Sequence, residues 1–322
     1  MARIIVGILR GGSSSEYDSS LKSGAAILQA LPEEKYDTRD IFIDRNGLWH
    51  SRGMPAEPIR ALSQIDVAFN ALHGGAGEDG TVQRILQRMG IPYTGSTAAA
   101  AQTALNKIAA RDMLRNAGVR IPAGMSFSVR DGTTADMAMK VFAAFPPPYV
   151  VKPPMEGSSM GILIAESLIA LPDAIGDVLD EYGMALVEEF LLGKEASVGV
   201  IEKYRNEELY TLPPAQIHLP SGARYLDRDV LAEGRHSYQV PSNFTHQEKA
   251  AIADMARAAH RALGLSHFSN ADIMLTNHGP YVLEVNASPV LHDKAPFHHM
   301  LESVGSSVRD FAEHAIAMAE QH

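Results

Sequence analysis

The sequence predicts an α/β protein: an N-terminal domain around a small parallel sheet, then a central α+β domain, then a C-terminal α+β domain carrying a β-hairpin. Three observations predict it. Over roughly the first 100 residues, apolar strand-like runs alternate with helical stretches, as in small open parallel sheets. From Thr97 the texture changes to longer helices and isolated strands separated by Pro- and Gly-bearing loops. Near the end, ADIMLTNHGPYVLEVNASP places two apolar runs on either side of Asn277-His278-Gly279, which reads as a β-hairpin. The domain limits expected from these shifts are 1–100, 101–190 and 191–322.

Arg3 to Leu9 is a continuous apolar run, the pattern of a buried strand. It ends in the turn Gly11-Gly12-Ser13-Ser14-Ser15-Glu16, which feeds a helix from Ser19 to Ala30. Further strands are expected from Thr38 to Ile43 and from Val67 to Leu72. The latter ends at His73-Gly74-Gly75-Ala76-Gly77-Glu78-Asp79-Gly80, and Thr81 to Met89 is helical. Ligands of open parallel sheets sit at the carboxyl ends of the strands, so Glu16, His73 and Glu78 are expected to share one crevice. Thr97 to Ala117 reads as one helix with Lys107 inside it, stopped by Ile121-Pro122-Ala123-Gly124. A proline run leads into a strand from Tyr149 that carries Lys152. The loop Pro154 to Gly161 and a strand from Ile162 to Ala165 follow. A helix from Leu168 to Tyr182 precedes strands from Ala185 to Phe190 and from Ala196 to Ile201. The remainder is a polar, glycine-bearing loop from His218 to Tyr238, a helix from Thr245 to Leu263, the hairpin, and a helix from Ser306 to Glu320.

Composition narrows the function. The chain has 322 residues, a net charge of −10 and no cysteine. An acidic balance argues against a nucleic-acid face, which needs a Lys/Arg surplus. Without cysteine there is no disulfide framework, zinc thiolate or thiol nucleophile. No apolar run reaches the roughly 18–20 residues of a membrane span, and the first residues lack the apolar length of a signal peptide. A cytoplasmic enzyme acting on small molecules is the expectation, with no nucleic acid or membrane partner.

Four constellations carry chemistry. In the hairpin, Glu284 and Asn286 are two apart and share a face, and Asp272 on the partner strand can converge on them. Three oxygen ligands without sulfur or imidazole suit a hard cation, Mg²⁺. Lys152 followed by Gly157-Ser158-Ser159 suits phosphate, through one lysine and loop amides, although no Walker motif is present. Val187 to Glu195 is a strand running into a turn, whose backbone can meet an adenine edge and whose carboxylate can accept from ribose hydroxyls. His73 and Glu78, with Glu16, can hold a small zwitterion, carboxylates meeting its ammonium. Taken singly, each has a plainer reading: strand-ending polar residues, a snorkelling lysine, an acidic surface turn, a helix-cap glutamate and a structural histidine.

Their order along the chain is more specific. GGSSSE, HGGAGEDG, GIPYTGS, Lys107, YVVKPPMEGSSMGI, VEEFLLGKE, ADIML and LEVNASP together resemble the ATP-grasp ligases, and among them the D-alanine–D-alanine ligase family, over essentially the whole chain. The resemblance implies an α+β ATP-grasp fold and an ATP-dependent carboxylate–amine ligase of peptidoglycan synthesis. One D-alanine carboxylate would be phosphorylated by ATP, and the amine of a second would attack the acylphosphate. By matched position it implies Lys107 and Lys152 on the phosphates, Ser158 and Ser159 in the loop over them, and Glu188, Glu189 and Leu191 at the adenine. It further implies Glu195 at the ribose and Asp272, Glu284 and Asn286 on two Mg²⁺ ions, with Mn²⁺ able to substitute. Glu16 would meet the first ammonium and His73 its carboxylate, with Glu78 beside them. Pro220 to Tyr238 would be a lid carrying Arg224 and Tyr225, and the protein a homodimer.

The sequence departs from the family pattern on the acceptor side. Asn270 stands where an arginine is usual, and Val290 where a glycine is usual. That arginine and the glycine amide form the family's oxyanion site, so their loss is expected to weaken the second half-reaction by about 3 kcal/mol or more. Lys294, Arg228 and His292 are the candidates to replace the charge. The alternatives that follow are a paralogue joining a D-amino acid to a different acceptor, and a nucleotide-binding protein without ligase activity.

Overall fold

The computed structural model describes residues 3–225, 230 and 234–321. The chain opens with β1 (Ile4–Gly11), α1 (Tyr17–Ala30), β2 (Tyr36–Ile43), β3 (Trp49–Ser51), β4 (Met54–Pro55), α2 (Pro58–Ala61), β5 (Val67–Asn70) and α3 (Thr81–Met89). These strands form one sheet in the order β4-β3-β2-β1-β5. β1 runs parallel to both β2 and β5, whereas β3 and β4 add an antiparallel edge. The expected parallel sheet is therefore mixed. The short, half-exposed edge strands have too few residues to show an alternation.

Next come α4 (Ala98–Leu105), α5 (Lys107–Asn116), β6 (Gly124–Ser128), α6 (Thr134–Ala144), β7 (Tyr149–Lys152), β8 (Leu163–Ala165), α7 (Leu171–Tyr182) and β9 (Met184–Glu189). Their sheet has the order β6-β9-β7-β8, covered by α6 and α7 around Met137, Val141, Tyr149, Val151, Ile175 and Val187. The chain continues with β10 (Lys194–Glu202), β11 (Leu209–Thr211), β12 (Ala215–His218), β13 (Ser237–Gln239), α8 (His246–Ala262), β14 (Phe268–Thr276), β15 (Gly279–Asn286), α9 (Pro296–Ser303) and α10 (Val308–Ala319). The third sheet has the order β13-β12-β10-β14-β15, with β11 on β10.

α8 and α10 are both announced by capping boxes. Thr245 Oγ1 accepts from Glu248 N at 3.2 Å while Glu248 accepts from Thr245 N at 2.6 Å. Ser307 and Asp310 make the same reciprocal pair. α10 buries Val308, Phe311, Ala312, Ala315, Ile316 and Ala319, a helical stripe. That stripe packs with Val6, Ile8, Ile27, Val67 and Phe69, so the last helix closes the core of the first sheet. Full burial of Phe311 alone is worth roughly 1.5–3 kcal/mol. Among the described residues no helix is long and apolar enough to cross a membrane.

One predicted helix is two. Asn106 adopts φ −81°, ψ 98° and ends α4, and its side chain accepts from Ile108 N and Ala109 N to cap α5. Lys107 is thus the first residue of α5, not an interior one. The cap sets the direction in which its side chain leaves the helix.

Candidate active site

β14 and β15 pair antiparallel with Asp272 opposite Glu284 and Asn270 opposite Asn286, which puts all four side chains on one face. The register shifts between Asp272 and Ile273, so Leu283 is extra on β15, a bulge the sequence pattern does not reveal. β10 lies on the other side of β14 and sets Ser197 opposite Asp272. Ser197 Oγ donates to Asp272 Oδ1 at 2.9 Å, Asn270 Nδ2 donates to the same oxygen at 3.2 Å, and Asn286 Nδ2 donates to Oδ2 at 3.3 Å. Burial, with the charges of Glu195 and Glu284, pushes Asp272 up to about 7. An all-oxygen set whose carboxylates repel one another is the chemistry a hard cation satisfies. Asp272, Glu284 and Asn286 therefore fit Mg²⁺.

Cations face this set from two elements. Lys107 Nζ lies 3.2 Å from Glu284 Oε2 and donates to the Glu156 carbonyl at 2.5 Å. Lys152 Nζ, at the end of β7, lies 2.5 Å from Glu188 Oε2. Glu188 is buried on β9, and its other oxygen accepts from Arg111 of α5. The counter-anion a buried lysine requires is thus Glu188. The adjoining loop holds Ser158 at φ +50° and Ser159 at φ +57°, two consecutive non-glycine residues in the left-handed region. Backbone strain of this kind is concentrated where a loop serves a ligand.

The N-terminal turns complete the enclosure. Glu16 sits at the N-cap of α1 yet makes no side-chain cap bond. Its carboxylate instead accepts from Ser158 Oγ at 2.6 Å, across to the central loop. Burial raises its carboxyl above the ordinary range against the lowering effect of Ser158. Glu78 is held in the glycine turn, accepting from Gly74 N at 2.7 Å and from Ser288 N, beyond β15, at 3.1 Å. The turn needs Gly77, because a Cβ there would lie 2.3 Å from Leu72 Cβ. His73 Nε2 is 2.8 Å from Ser23 Oγ, and burial depresses its imidazole to about 4, leaving it neutral.

One cavity of about 310 Å³ is lined by every site residue expected from the sequence except Lys107, which joins it through Glu284. Glu189, Leu191 and Glu195 form one wall with Phe190, and burial pushes Glu195 up to about 7. Arg224 pairs with Glu166 and stacks over Phe190 at 5.1 Å; Tyr225 also lines the cavity. The expected lid from Pro220 to Tyr238 lies partly outside the described residues, as does Arg228. Lys294 and His292 do not line the cavity; Lys294 N donates to His292 Nδ1. The side chain of Asn270 is engaged with Ser197 and Asp272. Sequence reading missed Ser197, Ser288, Tyr238 and Arg111. Ser197 was within reach, two residues after Glu195 on the same strand face.

The shifted carboxyls predict a pH dependence. Burial first, then the charge of Glu16, pushes Glu78 up to about 8 from 4.5. A carboxyl raised in the folded state adds stability while protonated, fully below the unfolded value, and that contribution is lost as pH climbs through the folded value. Ligand-free protein is expected to lose melting temperature between about pH 5 and about pH 8.5, and Glu78→Gln to flatten the slope. Scanning fluorimetry checks this; equal slopes in the two proteins would remove Glu78 from the account.

Three sheets around a cleft, with lysines and a strained loop facing an all-oxygen hairpin, define an ATP-grasp ligase, an enzyme that forms a C–N bond. A family model described as "D-ala D-ala ligase C-terminus" matches residues 113–317, and one described as "D-ala D-ala ligase N-terminus" matches residues 50–96. The chain belongs to the D-alanine–D-alanine ligase family. It is 34% identical over 317 residues to the D-alanine–D-alanine ligase of Desulforudis audaxviator, covering 98% of each chain. It is also 34% identical to that of Geobacter sulfurreducens, covering 98% of this chain and 94% of the relative. The VanG D-Ala:D-Ser ligase from Enterococcus faecalis superposes with a TM-score of 0.84 at 25% identity, over 99% of this chain and 100% of that one. D-alanyl-alanine synthetase A from Vibrio cholerae shares the fold with a TM-score of 0.88 over the full length of both chains, at 24% identity.

Proposed function

We propose that the protein joins two D-alanine molecules at the expense of ATP, releasing ADP and phosphate. The first carboxylate attacks the γ-phosphorus, and the amine of the second D-alanine then attacks the acyl carbon and expels phosphate. The observation that carries this reading is the single cavity in which the Glu16, His73 and Glu78 group faces Lys152, Ser158 and the Asp272–Glu284–Asn286 set. Lys107, Lys152 and the Ser158–Ser159 amides would hold the phosphates, Glu189 and Leu191 the adenine with the backbone of Glu188, and Glu195 the ribose. Asp272, Glu284 and Asn286 would hold Mg²⁺, two ions with Mn²⁺ as a substitute. When bound, the metal would neutralise the charge of the transferring phosphoryl group. Glu16 would orient the first ammonium and neutral His73 its carboxylate. Arg224 and Tyr225 would close on the phosphates. A cytoplasmic homodimer completes the proposal.

Asn270 and Val290 remain a departure from the family pattern. The dipeptide reading is preferred over a different acceptor because relatives 34% identical over 98% of this chain are D-alanine–D-alanine ligases. Phosphate release and product mass are to be measured over a panel of D- and L-amino acids, singly and in pairs, with D-serine included. D-alanine-dependent release with D-alanyl-D-alanine as product is the expected result. Hydroxamate-trappable acylphosphate from D-alanine, with ligation only to another acceptor, would overturn it.

A further inference from the structure

We infer that Arg111 is a positioning residue for ATP, acting through Glu188 on Lys152. The inference rests on the reading that Lys152 binds phosphate. Arg111 lies behind the cavity wall that Glu188 contributes, and it does not itself line the cavity. It is buried on α5, four residues after Lys107 and so on the same side of that helix. One of its guanidinium nitrogens donates to Glu188 Oε1, the other to the Pro122 carbonyl at 2.8 Å. Glu188 Oε2 is 2.5 Å from Lys152 Nζ. Side-chain exposures of 8% for Arg111, 4% for Glu188 and 9% for Lys152 place the three charges out of water. The backbone makes room for them: a Cβ at Gly124 would lie 2.8 Å from Arg111 Nη2 and 3.0 Å from Glu188 Cγ.

The charge balance gives this arrangement a function. A lysine paired with one buried carboxylate is a neutral unit and attracts a phosphate weakly. Two cations sharing one carboxylate leave a net positive charge, and the cation that faces the cavity is Lys152. Arg111 suits the hidden position because its planar fork satisfies both Glu188 and a carbonyl. It therefore keeps Glu188 from neutralising Lys152 and fixes where the ammonium points.

The test compares Arg111→Met, Lys152→Met and the double variant Arg111→Met/Glu188→Gln, measuring KM for ATP and for D-alanine. Arg111→Met is expected to raise the ATP KM about tenfold with the D-alanine KM little changed. The double variant restores the wild-type net charge and is expected to bring the ATP KM back. A residue that only stabilised the fold would lower the melting temperature without this rescue. Arg111→Lys keeps the charge and is the fallback if Arg111→Met does not fold; it should hold the ATP KM within about threefold. An unchanged ATP KM in Arg111→Met, or no recovery in the double variant, would overturn the inference while leaving Lys152 a phosphate ligand. An unchanged ATP KM in Lys152→Met would instead remove the phosphate reading on which it rests.

Discussion

Glu284→Gln is expected to lower kcat about a thousandfold or more at saturating ATP and D-alanine. Glu284 faces Asp272 across the hairpin and is the carboxylate that Lys107 reaches at 3.2 Å. Glutamine keeps the shape and one acceptor oxygen but removes the negative charge, leaving Asp272 as the sole carboxylate of the three proposed ligands. Two effects then separate by measurement. Losing the ion pair frees Lys107, so nucleotide affinity in the absence of divalent metal should hold or tighten. Metal-dependent turnover should collapse, and its half-saturating Mg²⁺ concentration should rise. Fluorescence titration with a labelled ATP analogue, with and without Mg²⁺, reads the first; phosphate release across a Mg²⁺ series reads the second. Wild-type turnover at ordinary Mg²⁺ would dispose of the metal assignment. A parallel loss of metal-free nucleotide binding would point to a displaced Lys107 instead.

The hairpin was legible because antiparallel pairing is nearly arithmetic. Two apolar runs on either side of a Gly-containing turn make the hairpin, and the two-residue period of a strand puts Glu284 and Asn286 on one face with Asp272 able to converge on them. The bulge after Asp272 was not legible, since one extra residue in a strand leaves the local composition unchanged. The glycine turns were equally readable, and their strand ends brought Glu16, His73 and Glu78 to one cavity. The break at Asn106 was missed because the flanking alanines and leucines continue a helical pattern through it. Only the asparagine's cap bonds to Ile108 N and Ala109 N show which state won. Arg111 was invisible for another reason. Its partner Glu188 is 77 residues away, and the contact exists only once β9 is threaded between β6 and β7. The short strands β11, β12 and β13 are held by their neighbours in the sheet, which a local pattern cannot register.

Glu16→Ala is expected to reduce kcat/KM for D-alanine by roughly a hundredfold to a thousandfold, with the KM for ATP changed far less. The carboxylate projects from the start of α1 into the cavity, where burial and the nearby Glu284 charge hold its carboxyl above the usual range. A group so placed is poorly solvated as an anion, and an incoming ammonium supplies the charge it lacks. The same carboxylate accepts from Ser158 Oγ at 2.6 Å, so the variant also loses a tie between the N-terminal turn and the phosphate loop. Ser158→Ala separates the two roles, because it removes the tie and spares the ammonium partner. If recognition of the first D-alanine dominates, Ser158→Ala should cost much less in kcat/KM for D-alanine than Glu16→Ala, and Glu16→Gln should resemble Glu16→Ala. If the loop tie dominates, both single variants should lose similar activity and raise the ATP KM together. Glu16→Gln, which can still accept from Ser158, should then recover most of the activity. Near-wild-type D-alanine kinetics in Glu16→Ala would place the ammonium elsewhere in the cavity, and Glu78, the other cavity-lining carboxylate of the N-terminal turns, is where it would then have to be sought.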